Sequence, residues 1–160
     1  MSVLFYGSAI IAILATLMVI TRTNIVHALL YFVVSLLAIA VIFYTLGSPM
    51  AAALEVIVYA GAIMVMFLFV VMMLNLGQVT QDQEKVWLQP SVWIGPTIMA
   101  IPLLGEVLYA INQQQETMAH SVTSAKEIGT ALFGPYVLAV ELASMLLLAG
   151  LVGAYHLARK

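Results

Sequence analysis

Polar and charged positions punctuate this chain at wide intervals, and apolar runs fill the spaces between them. The first run extends from about Val3 to Ile20 and is closed by Thr21-Arg22-Thr23-Asn24. A second runs from about Ile25 to Leu46, where Gly47-Ser48-Pro49 supplies three residues that favour a turn. The third and longest, about Ala51 to Leu76, leads into a polar connection, Gly77 to Gln89, that carries Asp82, Glu84 and Lys85. Pro90 suits the opening turn of a fourth run that reaches about Ile111. Pro96 and Pro102 lie inside it, and each withdraws an N–H from the helical ladder, so a kink is expected there. Asn112 to Thr130 reads as a polar hairpin or short helix outside the membrane, and a fifth run covers about Phe133 to Leu157.

Each run is long enough to cross a bilayer whose hydrocarbon core of about 30 Å needs roughly 20 apolar residues. The pattern therefore predicts an all-α integral membrane protein with five transmembrane helices, over about 3–20, 25–46, 51–76, 91–111 and 133–157, in one membrane domain covering 1–160. With five spans, the connections after the first, third and fifth share a side. That side holds Arg22, Lys85, Arg159 and Lys160, while the other holds only Lys126. This bias places the first side in the cytoplasm, with the N-terminus periplasmic and the C-terminus cytoplasmic. No Lys or Arg precedes the first run, so it is expected to be retained as a span and not cleaved as a leader. Trp87 and Trp93 flank the start of the fourth span, where indoles favour the interface.

Composition narrows the function classes. Of the 160 residues 64% are hydrophobic and 8% charged, which leaves no room for a soluble catalytic domain. A net charge of −2 with five scattered Lys and Arg residues argues against nucleic acid as a partner. Zero cysteines exclude disulfides and iron–sulfur ligation by this chain. His27, His120 and His156 lie on different segments without metal-ligand spacing. Neither the phosphate-cradling Gly-x4-Gly-Lys loop nor a Gly-x-Gly-x-x-Gly turn is present. No catalytic, cofactor-binding or metal site is therefore expected on this chain.

A small set of polar groups remains inside the spans. Glu55, Glu106 and Glu141 need a physical reason to be there, because charge in mid-bilayer is costly and such residues usually face protein or a water path. At 1.5 Å per residue they lie roughly 6, 8 and 12 Å from the same, non-cytoplasmic face. For Glu55 and Glu141 a proton-relay role and an interfacial one stand side by side, whereas Glu106, beside Gly105, reads as interfacial. In the third span Glu55 and Tyr59 are four apart, which stacks them on one face of an α-helix. Gly61 comes next, permitting either close packing or a departure from regular winding. Met64, Met66, Met72 and Met73 lie in the same span, either as adaptable side chains for a helix with two arrangements or as generic apolar filling. In the fifth, Ala139/Ala143 and Ala149/Gly153 are small-x3-small pairs that let helices approach, and Ser144 lies three residues after Glu141. His27 and Tyr31 share a face of the second span and read as structural.

The stretch Leu54 to Asn75, with its Glu-Val-Ile-Val-Tyr-Ala-Gly-Ala-Ile core, closely resembles the J-subunit family of bacterial NADH:quinone oxidoreductase, respiratory complex I, counterpart of mitochondrial complex I subunit 6. Ile11 to Leu17, Thr23 to Tyr31 and Phe133 to Gly150 support the resemblance. It implies a multi-pass subunit of the bacterial inner membrane, surrounded by lipid. The implied neighbours are small K-, A- and H-type subunits and antiporter-like subunits. It also implies a π-bulge in the third helix, around Tyr59 to Val65 with Gly61 as the point of give and Met64 beside it. Forming and relaxing that bulge would open and close a water path. NADH, FMN, iron–sulfur clusters and quinone are implied for the complex, on other chains. Many bacterial members continue into a charged cytoplasmic tail, whereas this sequence ends at Lys160.

The expected function is thus coupling of quinone reduction to proton translocation through the third helix, with Glu55, Tyr59, Gly61, Met64, Val65 and Glu141 as proton-path or gating residues. Two alternatives remain: a purely structural scaffold of the same membrane arm, and a small independent transporter. Five spans without an internal repeat leave the transporter no obvious substrate site.

Overall fold

A computed structural model describes residues 2–23, 25–74, 90–113 and 122–159. The polar connection 77–89 with Trp87, the end of the third run beyond Leu74, His120 and Lys160 lie outside the described residues. Among the described residues the regular structure is helical: α1 (Ser2–Thr21), α2 (Ile25–Thr45), α3 (Pro49–Leu54), a π-helix (Glu55–Ile63), α4 (Met64–Leu74), α5 (Pro90–Gln113), α6 (Ala125–Leu132) and α7 (Val137–Ala158). Helices are what lipid demands, since only they satisfy every backbone N–H and C=O within one segment. Five stretches have the length and apolarity to cross a membrane: Val3–Thr21, Ile25–Thr45, Pro49–Val71, Val92–Asn112 and Val137–Ala158.

The ends of these helices reflect local chemistry. Gly47, at φ 81°, closes α2. Its N–H donates to the Tyr44 carbonyl and that of Ser48 to the Phe43 carbonyl, at 3.0 and 3.1 Å, the paired bonds of a Schellman cap. Pro49 then opens α3, where its missing N–H costs nothing. The helix α5 runs unbroken through Pro96 and Pro102. The last span begins at Val137, four residues later than the hydrophobic run suggests. Apolarity alone cannot see the reason, which is a turn at Phe133-Gly134-Pro135-Tyr136 that ends α6 with the Tyr136 N–H on the Ala131 carbonyl at 3.1 Å. At its other end α6 is fixed by a capping box. Ser124 Oγ accepts from the Glu127 N–H at 3.2 Å, while Glu127 Oε2 accepts from the Ser124 N–H at 2.8 Å.

The chain forms two units, Met1–Val122 and Thr123–Lys160. In the first, α2 is the centre and packs against α1, against all three segments of the third span and against α5. Its two faces carry different cores. Val34, Ala38 and Val41 join Ala15 of α1 and Leu103 of α5, while Leu29 and Leu36 join Met64 of α4. Ala15 and Ala38 are completely buried, so the α1 and α2 backbones approach closely. Thr16 and Ser35 share a hydroxyl–hydroxyl hydrogen bond of 2.8 Å across the same seam. In the second unit α6 leads through the turn into α7, whose Ser144 hydroxyl bonds back to the Glu141 carbonyl at 2.7 Å.

Candidate functional site

The third span changes winding part-way along. From Glu55 to Ile63 the winding is π, its backbone bonds reaching five residues back instead of four, with ordinary α-helix before and after. At the exit the Met64 N–H reaches the Tyr59 carbonyl, five residues back, as well as the Gly61 carbonyl. Runs of π-helix are rare because the wider turn packs its own backbone less well, and where they persist they mark functional positions. Nine residues is long for such a segment.

Gly61 explains how this winding is accommodated. A Cβ built on Gly61 would stand 3.1 Å from the carbonyl oxygen of Val56, five residues earlier. That is tighter than ordinary contact, so a side chain here would require the Val56 backbone to give by a few tenths of an ångström. The π turn brings the Val56 carbonyl to this place, and glycine leaves room for it.

Winding also decides which residues meet α2. The buried or half-buried positions that succeed one another along the packed side are Ala52, Glu55, Ala60, Met64 and Val71, with a step of five between Glu55 and Ala60 where an α-helix would use three or four. Ala60, Met64 and Val71 close on Leu29, Val33 and Leu36 of α2. Glu55 is buried at the head of the π segment, whereas Tyr59 is half exposed. The expected stacking of this carboxyl on this phenol is therefore not formed. Among the described residues no hydrogen bond joins them, because the extra residue per turn rotates Tyr59 off the packed side. Met64 lies against α2 and Val65 is exposed. Glu141 is exposed on α7 in the second unit, and the described hydrogen bond at this position is to its backbone carbonyl, from the Ser144 hydroxyl.

Two close approaches escaped the hydrophobic pattern. Glu106 turns to α1 and accepts a hydrogen bond from the Ser8 hydroxyl at 2.5 Å, which is more than the interfacial position its depth suggests. Tyr31 is buried, with the Arg22 guanidinium 5.6 Å from its ring centroid and its hydroxyl over Gly95, where a Cβ would overlap it. The signal for both is a glycine opposite a long polar side chain, visible only once the helices are paired.

The family model for NADH-ubiquinone/plastoquinone oxidoreductase chain 6 matches residues 15–157. The chain belongs to this family. It is 56% identical over 158 residues to the NADH-quinone oxidoreductase subunit J of Pseudomonas aeruginosa, covering 98% of this chain and 95% of that protein. The subunit J of Escherichia coli is 60% identical over 157 residues, 98% of this chain and 85% of that protein. A more distant subunit J, from Buchnera aphidicola, is 46% identical over 161 residues, 100% of this chain and 99% of that protein. Family membership and five apolar helices make this a multi-pass protein of the bacterial inner membrane. The π segment and Gly61 lie inside the matched region.

Proposed function

We propose that this chain, a membrane-arm subunit of NADH-quinone oxidoreductase, helps couple quinone reduction to proton translocation by changing the winding of its third span. Relaxing the π segment to plain α-helix removes one residue's worth of slack and turns α4 by about 100° relative to α3. Met64 would then leave Leu29 and Leu36, and Val65 or Ile63 would take its place. The apolar wall that Met64 forms with Leu29 and Leu36 is rebuilt by that exchange, which opens or closes a file of water. Such a segment has two discrete arrangements that a distant event can bias.

One observation supports this reading above the others: a nine-residue π segment whose Gly61 provides the space for the Val56 carbonyl. Glu55 and Tyr59 are polar supports of that path, and Glu141 is a proton-path residue proposed from its place within the fifth span. Iron–sulfur clusters are assigned to other chains, since this one has no cysteine, and NADH, FMN and quinone are assigned there by the family resemblance. The neighbours are small K-, A- and H-type subunits and the antiporter-like subunits, and the N-terminus is periplasmic by the distribution of Lys and Arg.

The test is Gly61→Val in assembled complex, reading quinone-linked NADH oxidation and proton pumping together. A β-branched side chain meets the Val56 carbonyl and disfavours the π winding, so pumping per electron falls several-fold while assembled complex is still recovered. Normal pumping would remove the gate. Loss of assembled complex, with normal coupling in the remainder, would make the chain a scaffold.

A further inference from the structure

Between α1 and α5 the packed interior is interrupted by one carboxyl. Ser8 is the sixth residue after the start of α1 and Glu106 the seventh before the end of α5, so both lie roughly 10 Å inside their helices, beyond the reach of a frayed end. Ser8 is completely buried and its hydroxyl donates a hydrogen bond to Glu106 Oε2 at 2.5 Å, across 98 residues of sequence. Next to it, a Cβ on Gly7 would overlap Glu106 Oε1. One carboxyl oxygen therefore rests on bare α1 backbone and the other on a buried donor. Leu4, one turn before Ser8, and Leu103, one turn before Glu106, are both buried and flank the place with hydrocarbon, while Glu106 itself is half-buried.

These features depend on one another. A membrane-embedded carboxyl is expensive without a partner. Ser8 is that partner, and it can be reached only because Gly7 has no side chain. We propose that Gly7, Ser8 and Glu106 form an interhelical carboxyl clasp that sets the register of the fourth span against the first, with Gly7 as the seat of the Glu106 carboxyl.

Register is set by the residues on either side. Sliding α5 by one turn, about 5.4 Å, takes Glu106 off Gly7 and sets it against Leu4 in one direction or Ile11 in the other. Leu4 is buried and Ile11 packs on the core of Ala15, Val34 and Leu103, so both alternatives strand a carboxyl on hydrocarbon. A polar residue used in this way selects one arrangement among several that apolar packing alone would allow.

The experiment is a double-variant cycle in the assembled complex, reading the amount of this subunit retained and the quinone-linked NADH oxidation that survives heating. Glu106→Ala alone should lower survival about three-fold, the usual size of one interhelical hydrogen bond. Gly7→Val alone should lower it about ten-fold or more, because the new side chain meets the carboxyl. Together they should recover to within about three-fold of the starting protein, since the added methyl groups occupy the space the carboxyl vacates. Glu106→Gln keeps an acceptor for Ser8 and should stay above Glu106→Ala. A double variant no better than Gly7→Val, a harmless Gly7→Val, or a Glu106→Gln no better than Glu106→Ala would each overturn the clasp.

Discussion

The seam between α1 and α2 and the seam between α2 and the third span are built from equally apolar sequence, yet they hold their helices differently. At the first, Ala15 and Ala38 are completely buried, Val34 and Val41 close the space around them, and Thr16 bonds to Ser35. At the second, among the described residues Met64 is the one deeply buried apolar side chain the third span places on Leu29 and Leu36, with Ala60 and Val71 half-buried beside it. Small residues bring backbones together and leave no alternative packing, whereas an unbranched thioether fills whatever gap it meets. The first seam has one good arrangement. The second has a π turn along its length and is filled by an adaptable side chain, as the proposed change of winding requires.

The largest expected effect comes from attacking the rigid seam. Ala38→Leu forces a branched side chain between two backbones with no free space, and overpacking of this kind costs about 1–3 kcal/mol, here at the upper end. The outcome should be little or no assembled complex, judged by the amount of the chain that copurifies with quinone-linked NADH oxidation. Recovery close to normal would mean that α1 and α2 part easily, and the contrast between the seams would be lost.

Next in size is Met64→Ala, at the adaptable seam. Removing most of a buried side chain costs about 2 kcal/mol, toward the lower end of the range for cores, because lipid tails compete with protein for apolar contact. Here the expected damage is to coupling more than to assembly, with pumping per electron falling while most of the complex is retained. Met64→Leu, which preserves the volume, should restore it. Equal loss of complex in Met64→Ala and Ala38→Leu would make the two seams alike.

This contrast is only partly legible in the sequence. Long gaps between charges locate the spans, because lipid penalises charge wherever it falls and the rule needs no tertiary information. The core Glu-Val-Ile-Val-Tyr-Ala-Gly-Ala-Ile points to Glu55 and Gly61 through resemblance and through residue type. It misleads about Tyr59, because a four-residue spacing converts to a shared face only with α-helical geometry and the local winding is not α. The five-residue step from Glu55 to Ala60 is visible only against α2. Depth alone makes Glu106 interfacial, and its relation to Gly7 and Ser8 spans most of the chain. Gly134-Pro135-Tyr136 reads as a helix start from its residue types, and α7 does begin just after it, although the apolar run itself continues back to Phe133.

The smallest expected effect tests whether the rigidity of the first seam comes from fit or from its polar pair. Ser35→Ala removes one side of the Thr16 to Ser35 hydrogen bond, but Thr16 keeps a 2.8 Å bond to the Ala12 carbonyl on its own helix and is not stranded. Thr16→Val leaves Ser35 with a longer contact, 3.4 Å to the Ala12 carbonyl, which crosses the seam. Each change should therefore cost about 0.6 kcal/mol, the mean for interhelical hydrogen bonds, with Thr16→Val at or above Ser35→Ala. The double variant should add little to either, because both changes remove the same bond. A shift in the thermal inactivation midpoint of the assembled complex reads these differences. If either variant matched Ala38→Leu in severity, the hydroxyl pair would be what holds α1 to α2. The close fit of Ala15 and Ala38 would then be its result and not its cause.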